Sequence, residues 1–287
     1  MSIRSILPKF RFATVVAVCL FVVLGGMGTA RAADDPPHAQ YHEMHANCEV
    51  NHRLSDDPIV FPGLAGASHN HTFIGNPATN ANSTPASLVG GATSCEDPLD
   101  ASGYWFPTLL SNGVPVIPDA PTVYYKSGVK DYRTVQPFPA GFKLLVGDVH
   151  TPDAAHFLGN WQCPGYKGND IPSSCPGGSS LVVRLTAPSC WDGVHLDTTD
   201  HKSHMAWPVS GVCPADHPVP LPMLEIKLPY PLNNGNTGGL AYSSGASYSF
   251  HYDFMNGWDP ARQAHLVSYC INGGRQCNGF GEDPKNP

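Results

Sequence analysis

The chain has 287 residues, with 29 Gly and 29 Pro but only 14 % charged residues. Dispersed Gly and Pro interrupt long helices, while plentiful aromatic and β-branched residues argue against disorder. The net charge of −7 excludes capture of nucleic acid or an anionic membrane by charge alone and suits a neutral or cationic partner.

Residues 1–32 read as an export signal. Arg4, Lys9 and Arg11 form a basic start, Ala13 to Met27 is apolar, and Ala30-Arg31-Ala32 is a small-x-small cleavage site. The apolar run is too short, and wrongly flanked, for a membrane anchor. Cleavage after Ala32 takes four of the 16 Lys+Arg and none of the 23 acids, leaving 12 basic residues and a net charge of −11. It also removes Cys19. The eight cysteines that remain, an even number in an exported chain, read as four disulfides. Sequence-neighbour pairing would join Cys163 to Cys175, Cys190 to Cys213 and Cys270 to Cys277.

Residues 33–45 read as a loose leader, 46–280 as one domain with a possible division near 150–160, and 281–287 as a tail. Strand-like runs lie between Pro/Gly punctuation at Ile59–Phe61, Tyr104–Leu110, Val123–Lys126, Phe142–Val146, Leu181–Leu185, Leu224–Leu228, Tyr248–Phe254 and Ala264–Ile271. Residues 75–93 and 232–247 read as loops. Many short strands with turn signals predict a mainly β fold, a β-sandwich or jelly roll with long Pro/Gly-rich loops, stapled by disulfides.

Two histidine clusters stand out. In Ser68-His69-Asn70-His71-Thr72, an extended strand puts His69 and His71 on one face. In Asp200-His201-Lys202-Ser203-His204-Met205, a helical turn makes His201 and His204 neighbours. If the fold joins the pairs, the four imidazoles make a metal centre or an acid/base centre. Imidazole with carboxylate suits zinc, and also copper, nickel or iron; Met205 would tip the choice toward copper. Asp200, and Asp197 before it, would orient the rings or add ligands. The bland reading is a set of polar turns and packed imidazoles.

Ordered blocks along the chain resemble the DUF1996 family: Phe61-Pro62-Gly63, Ser68 to Asn76, Ser102 to Leu109, Tyr124-Tyr125-Lys126 and Phe138 to Phe142 in the first half. Trp161-Gln162-Cys163, Cys190-Trp191-Asp192-Gly193, Asp200 to Met205, His217 to Pro222 and Asn256-Gly257-Trp258 continue the match. The resemblance spans roughly residues 45–280. It implies extracellular work near cell-wall or biomass polysaccharide, and no particular reaction.

The function expected is that of a secreted or periplasmic monomer acting on polysaccharide or oligosaccharide, with no nucleic acid and no stable membrane association. A zinc or copper ion on His69, His71, His201 and His204 could drive cleavage. Without metal, a histidine and a tyrosine such as Tyr104 could exchange protons, as in elimination from uronic-acid polymers. A pair of carboxylates drawn from Asp192, Asp197 and Asp253 is a weaker choice. Trp105, Tyr125, Lys126, Trp191 and Trp258 are the candidate substrate contacts, since flat rings suit a pyranose. Two rivals stay open: a copper-dependent oxidoreductase or metal carrier, and a glycan-binding module without catalysis.

Overall fold

The computed structural model describes residues 42–285; the predicted export signal and residues 33–41 of the predicted leader lie outside the described residues. The fold is mainly β and is built on two antiparallel sheets. One has six strands, in the order Glu43–Asn47, Thr122–Ser127, Pro222–Pro231, Ser180–Thr186, Asn160–Cys163 and Tyr166–Gly168. The other has five, in the order Val50–Leu54, His71–Gly75, Gly103–Pro107, His251–Met255 and Lys143–Gly147. Segments from before and after positions 150–160 pair within each sheet. Two smaller sheets of three strands each add to them.

The two large sheets enclose one main core. Tyr104, Phe106, Leu144, Tyr252 and Phe254 of the five-stranded sheet share it with Val123, Trp161, Val183, Leu224 and Ile226 of the six-stranded one. Because side chains alternate along a strand, the sequence neighbours of the first group point the other way. Phe73, Trp105 and Met255 therefore form a second, smaller cluster with Ile59 and Leu88 on the outer face of the five-stranded sheet. The loop that carries Ile59 covers part of that face.

All four disulfides form. Cys163–Cys175, Cys190–Cys213 and Cys270–Cys277 follow the neighbour rule, and Cys48–Cys95 spans a separation of 47 residues. Among the described residues no helix is long and apolar enough to cross a membrane.

Two predicted strands are corrected. The segment 59–61 is a turn, because the Asp57 carboxylate accepts from the N–H groups of Ile59 and Val60. The segment 264–271 is helical. Asp259 caps the helix Pro260–Leu266 by accepting from Arg262 N, and the chain continues as the wider turn Val267–Ile271. Its buried residues Leu266, Val267, Cys270 and Ile271 have helical spacing. Other boundaries move as well. The edge strand Glu43–Asn47 begins inside the predicted leader, and the two predicted loops hold a short helix, Pro85–Leu88, and a strand, Leu240–Tyr242.

The strand His71–Gly75 ends at a point with no room for a side chain. Gly75 has a φ of +81°, and a Cβ there would lie 2.1 Å from the Ser102 carbonyl oxygen. Gly75→Ala is expected to destabilise the fold by about 2 kcal/mol or more, read as a lowered thermal midpoint; an unchanged midpoint would contradict this packing.

Candidate metal centre

Strand register builds the site. His71 lies opposite Pro107, Asp253 opposite Trp105 and His251 opposite Gly147. Counting along Gly103–Pro107, His71 and His251 fall in one row across the sheet, on the outer face that Phe73 and Trp105 share. Asp253, two residues from His251, occupies the next row of that face. His69, just before the strand, brings its ring to 4.3 Å from His71 and 5.0 Å from His251, centroid to centroid. The ligand atoms of His69, His71 and His251 lie within 4.8 Å of one another. So do those of Asp57, His71 and Asp253. The His69, His71 and His251 group could hold a metal ion.

The backbone fixes which nitrogen each buried ring presents. His71 Nδ1 donates to the Asp56 carbonyl at 2.9 Å, and His251 Nδ1 donates to the Ser249 carbonyl at 2.8 Å. A neutral ring that donates at Nδ1 keeps its lone pair at Nε2. His71 Nε2 and His69 Nε2 are buried and have no hydrogen-bond partner. Asp253 is more unusual still: it is wholly buried, and neither carboxylate oxygen has a partner.

Burial dominates the electrostatics. It lowers His69 and His251 to about 4, and it holds His71 well below the ordinary value, with help from His69 and His251. It raises Asp253 well above the usual carboxylate range, with neighbouring Asp57 adding to the effect. Asp57 is itself raised by burial. At neutral pH the rings are uncharged donors.

Asp57, His69 and His251 line a cleft of about 590 Å³, and His71 and Asp253 lie behind them in the sheet. One wall is the 57–69 loop, another is the 148–150 turn, and the third is the segment 199–202, which brings His201 and Lys202. That third wall docks on the edge strand Lys143–Gly147: Lys143 N donates to Leu196 O and Leu145 N to His201 O. The two histidine clusters of the sequence therefore do approach each other, but unequally.

His201 lines the cleft, with Nδ1 held 2.8 Å from Asp197, whose other oxygen takes Lys143 Nζ at 2.6 Å. His204 does not join them. It is fully buried, with Nδ1 on Thr198 Oγ1 and Nε2 on the Lys143 carbonyl. Asp200 reaches the cleft wall but serves its own loop, accepting from the N–H groups of Lys202 and Ser203 and from two hydroxyls. The four-imidazole centre expected from the sequence is thus replaced by three imidazoles on and beside the sheet.

The predicted aromatic contacts lie elsewhere. Tyr104, Tyr125 and Trp258 are buried together: Tyr104 donates to Asp100, its oxygen meets that of Tyr125 at 2.5 Å, and Trp258 Nε1 donates to Tyr125. Trp105 is sealed among Ile59, Phe73 and Leu88. Lys126 lies 3.4 Å from Glu225 and over the Tyr124 ring, and the half-buried Trp191 donates to the His195 carbonyl. None of these residues lines the cleft, where Phe61 is the aromatic residue present.

Sequence reasoning missed His251 and Asp57. The signal for His251 is the His251-Tyr252-Asp253 alternation inside a predicted strand, the same pattern as His69-Asn70-His71. A further grouping of Cys48, Cys95 and Asp100 offers no thiolate, since the two sulfurs are bonded to each other.

DUF1996, a domain of unknown function, matches residues 57–258, well over half of the chain. The chain belongs to the DUF1996 family. No curated protein and no solved structure matches it. In this DUF1996 protein the matched span holds Asp57, His69, His71, His201, His251 and Asp253, so the whole candidate centre belongs to the family domain.

His204→Ala is expected to cost about 3 kcal/mol, because it opens a cavity and strands the Lys143 carbonyl, while His69, His71 and His251 stay in place. Chemical denaturation and imidazole NMR shifts separate the two effects. In metal-free protein, the buried rings also tie stability to pH. The unfolded chain takes up protons at the ordinary histidine value of 6.5, whereas folded His69 and His251 resist until about 4. These two rings thus lose stability as pH falls from roughly 6.5 to 4, while the raised carboxyls of Asp253 and Asp57 act in the opposite sense. Measured against wild type, His251→Gln should lose less stability as pH falls, in urea midpoints compared across this range.

Proposed function

We propose that this is an extracellular metal-dependent protein that acts on polysaccharide, with one divalent ion held by His69, His71 and His251. The observation that carries this reading is the unpartnered, wholly buried carboxylate of Asp253 beside imidazoles whose lone pairs are free. An isolated buried carboxylate is costly. Asp253 and Asp57 share His71 with the three-histidine group, so a doubly charged ion bound there would offset the charge of the two carboxylates. A single ion is favoured because His71 has one nitrogen to offer. Its Nδ1 is engaged by Asp56, so both donor groups must draw on Nε2.

Imidazole and carboxylate together suit zinc, and also iron, nickel or copper(II). When bound, such an ion polarises a substrate oxygen or lowers the pKa of a coordinated water. The chain's own residues would orient that chemistry: the Asp56 and Ser249 carbonyls fix the His71 and His251 rings, and the cleft borders His69 and His251. Four disulfides fit an extracellular setting, and the open cleft suits a chain-like ligand.

The rival readings lose the features that favoured them. Met205 lies buried in the strand Met205–Ala206 and does not line the cleft, so no soft ligand favours copper over zinc. The tryptophans expected to form a flat sugar platform are largely inside the protein. Proton exchange through Tyr104 is disfavoured too, since its hydroxyl faces the inter-sheet core.

The test is metal content of protein purified without an affinity tag, stripped with chelator and reloaded. About one divalent ion per chain is expected in the wild type, with His71→Ala and His251→Ala losing it while remaining folded by circular dichroism. Product release from a polysaccharide panel should stop with chelator and return with one ion. A stripped protein that takes up no zinc, iron, nickel or copper would end the metal reading.

A further inference from the structure

Lys202 is the one lysine or arginine among the described residues that line the cleft. It forms no ion pair among the described residues, it lines the same cleft as His69 and His251, and its charge acts through space on both His251 and Asp253. Two lysines of the sheet strands are by contrast paired: Lys126 with Glu43 and Glu225, and Lys143 with Asp197. The acids of the same cleft are drawn into their own loops. Asp57 accepts from Ile59 and Val60, Asp148 from His150, and Asp200 from Lys202 and Ser203, each through backbone N–H groups.

The backbone also fixes where Lys202 sits. His201 adopts a φ of +58°, its N–H donates to Thr198 O, and its carbonyl accepts from Leu145 N. Asp200 then accepts from Lys202 N itself. The segment is pinned just before the side chain branches off, so the side chain starts from a fixed base on the cleft wall. An unpaired cation so placed, next to a site for a divalent ion, gives this part of the cleft two positive centres on an otherwise acidic protein.

We infer that the cleft recognises an anionic sugar unit, a uronic-acid carboxylate within the polymer, and that Lys202 is the residue that selects it. This inference rests on the polysaccharide reading above and deepens it. It also departs from the neutral or cationic partner that net charge alone suggests. Net charge governs long-range attraction, whereas a single ammonium within the cleft acts at contact range. A lysine is a point charge without the two-pronged geometry of arginine, which suits one carboxylate on a flexible chain. The acidic remainder of the surface suppresses unspecific binding of polyanions, so the effect of Lys202 should be resolvable.

The test compares hexagalacturonate with its fully methyl-esterified form, which keeps the sugar backbone and removes the charge. Binding to zinc-loaded full-length protein is measured by calorimetry, with zinc content read in the same samples. Wild type is expected to bind the acid form at least about ten-fold more tightly than the ester. Lys202→Met should abolish that preference with zinc content unchanged, and Lys202→Arg should keep most of it. Equal affinity for acid and ester, no binding of either, or a preference that survives Lys202→Met would overturn the assignment while leaving the metal reading intact. Wild-type protein without zinc would instead count against the metal reading, and an acid preference that persists there and depends on Lys202 would still support this one.

Discussion

Everything at the site depends on the antiparallel register across the strand Gly103–Pro107. That strand pairs with His71–Gly75 on one side and His251–Met255 on the other. Two segments 180 residues apart in the chain thereby place His71 and His251 in one row of one face. A slip by one residue on either side would turn a histidine into the inter-sheet core. The register is therefore fixed by the same packing that buries Tyr104, Phe106, Tyr252 and Phe254 on the opposite face. The apolar core and the polar site are two faces of one constraint.

The loops complete what the sheet begins. Asp56 and Asp57 are adjacent, and they divide the labour. Asp56 lends its carbonyl to His71, while its carboxylate accepts from Gly66 and Ala81 and ties down the loop. Asp57 turns the chain and offers its carboxylate near Asp253. On the other wall the Cys190–Cys213 disulfide brackets the segment that carries His201 and Lys202. A cross-link of that kind limits the freedom of a loop that has little regular structure, and the Asp192, Asp197 and Asp200 carboxylates supply the local hydrogen bonds it lacks.

Much of this was legible in the sequence, and the rest was not, for physical reasons. Short β runs between Pro and Gly point to the sandwich, and neighbouring cysteines point to three of the four pairings. The pair His69 and His71 was visible because the strand period is two. The pair His201 and His204 misled, because equal prominence in sequence does not mean equal exposure: two residues beyond the cleft-lining Lys202 the chain dives into the core, and His204 meets the Lys143 carbonyl. His251 was hidden inside a run that reads as an ordinary buried strand, and only pairing through Gly103–Pro107 reveals its neighbours. Tryptophans and tyrosines could not be sorted by sequence into platform and core. Their neighbours on adjacent strands decide, and here those neighbours are apolar or engaged by Asp100.

A choice between acid/base chemistry and metal binding turns on what burial does to the rings. A general base works best when its pKa is near the working pH. His69 and His251 are held at about 4 by burial, so either ring would be a weak base at neutral pH. The same depression suits a metal ligand, which must be neutral to donate its lone pair. Asp253 points the same way. Left alone it would be driven to stay protonated without a hydrogen bond to either oxygen, whereas a divalent ion would hold it ionised and give it a partner. The features that disable proton transfer are those that prepare coordination.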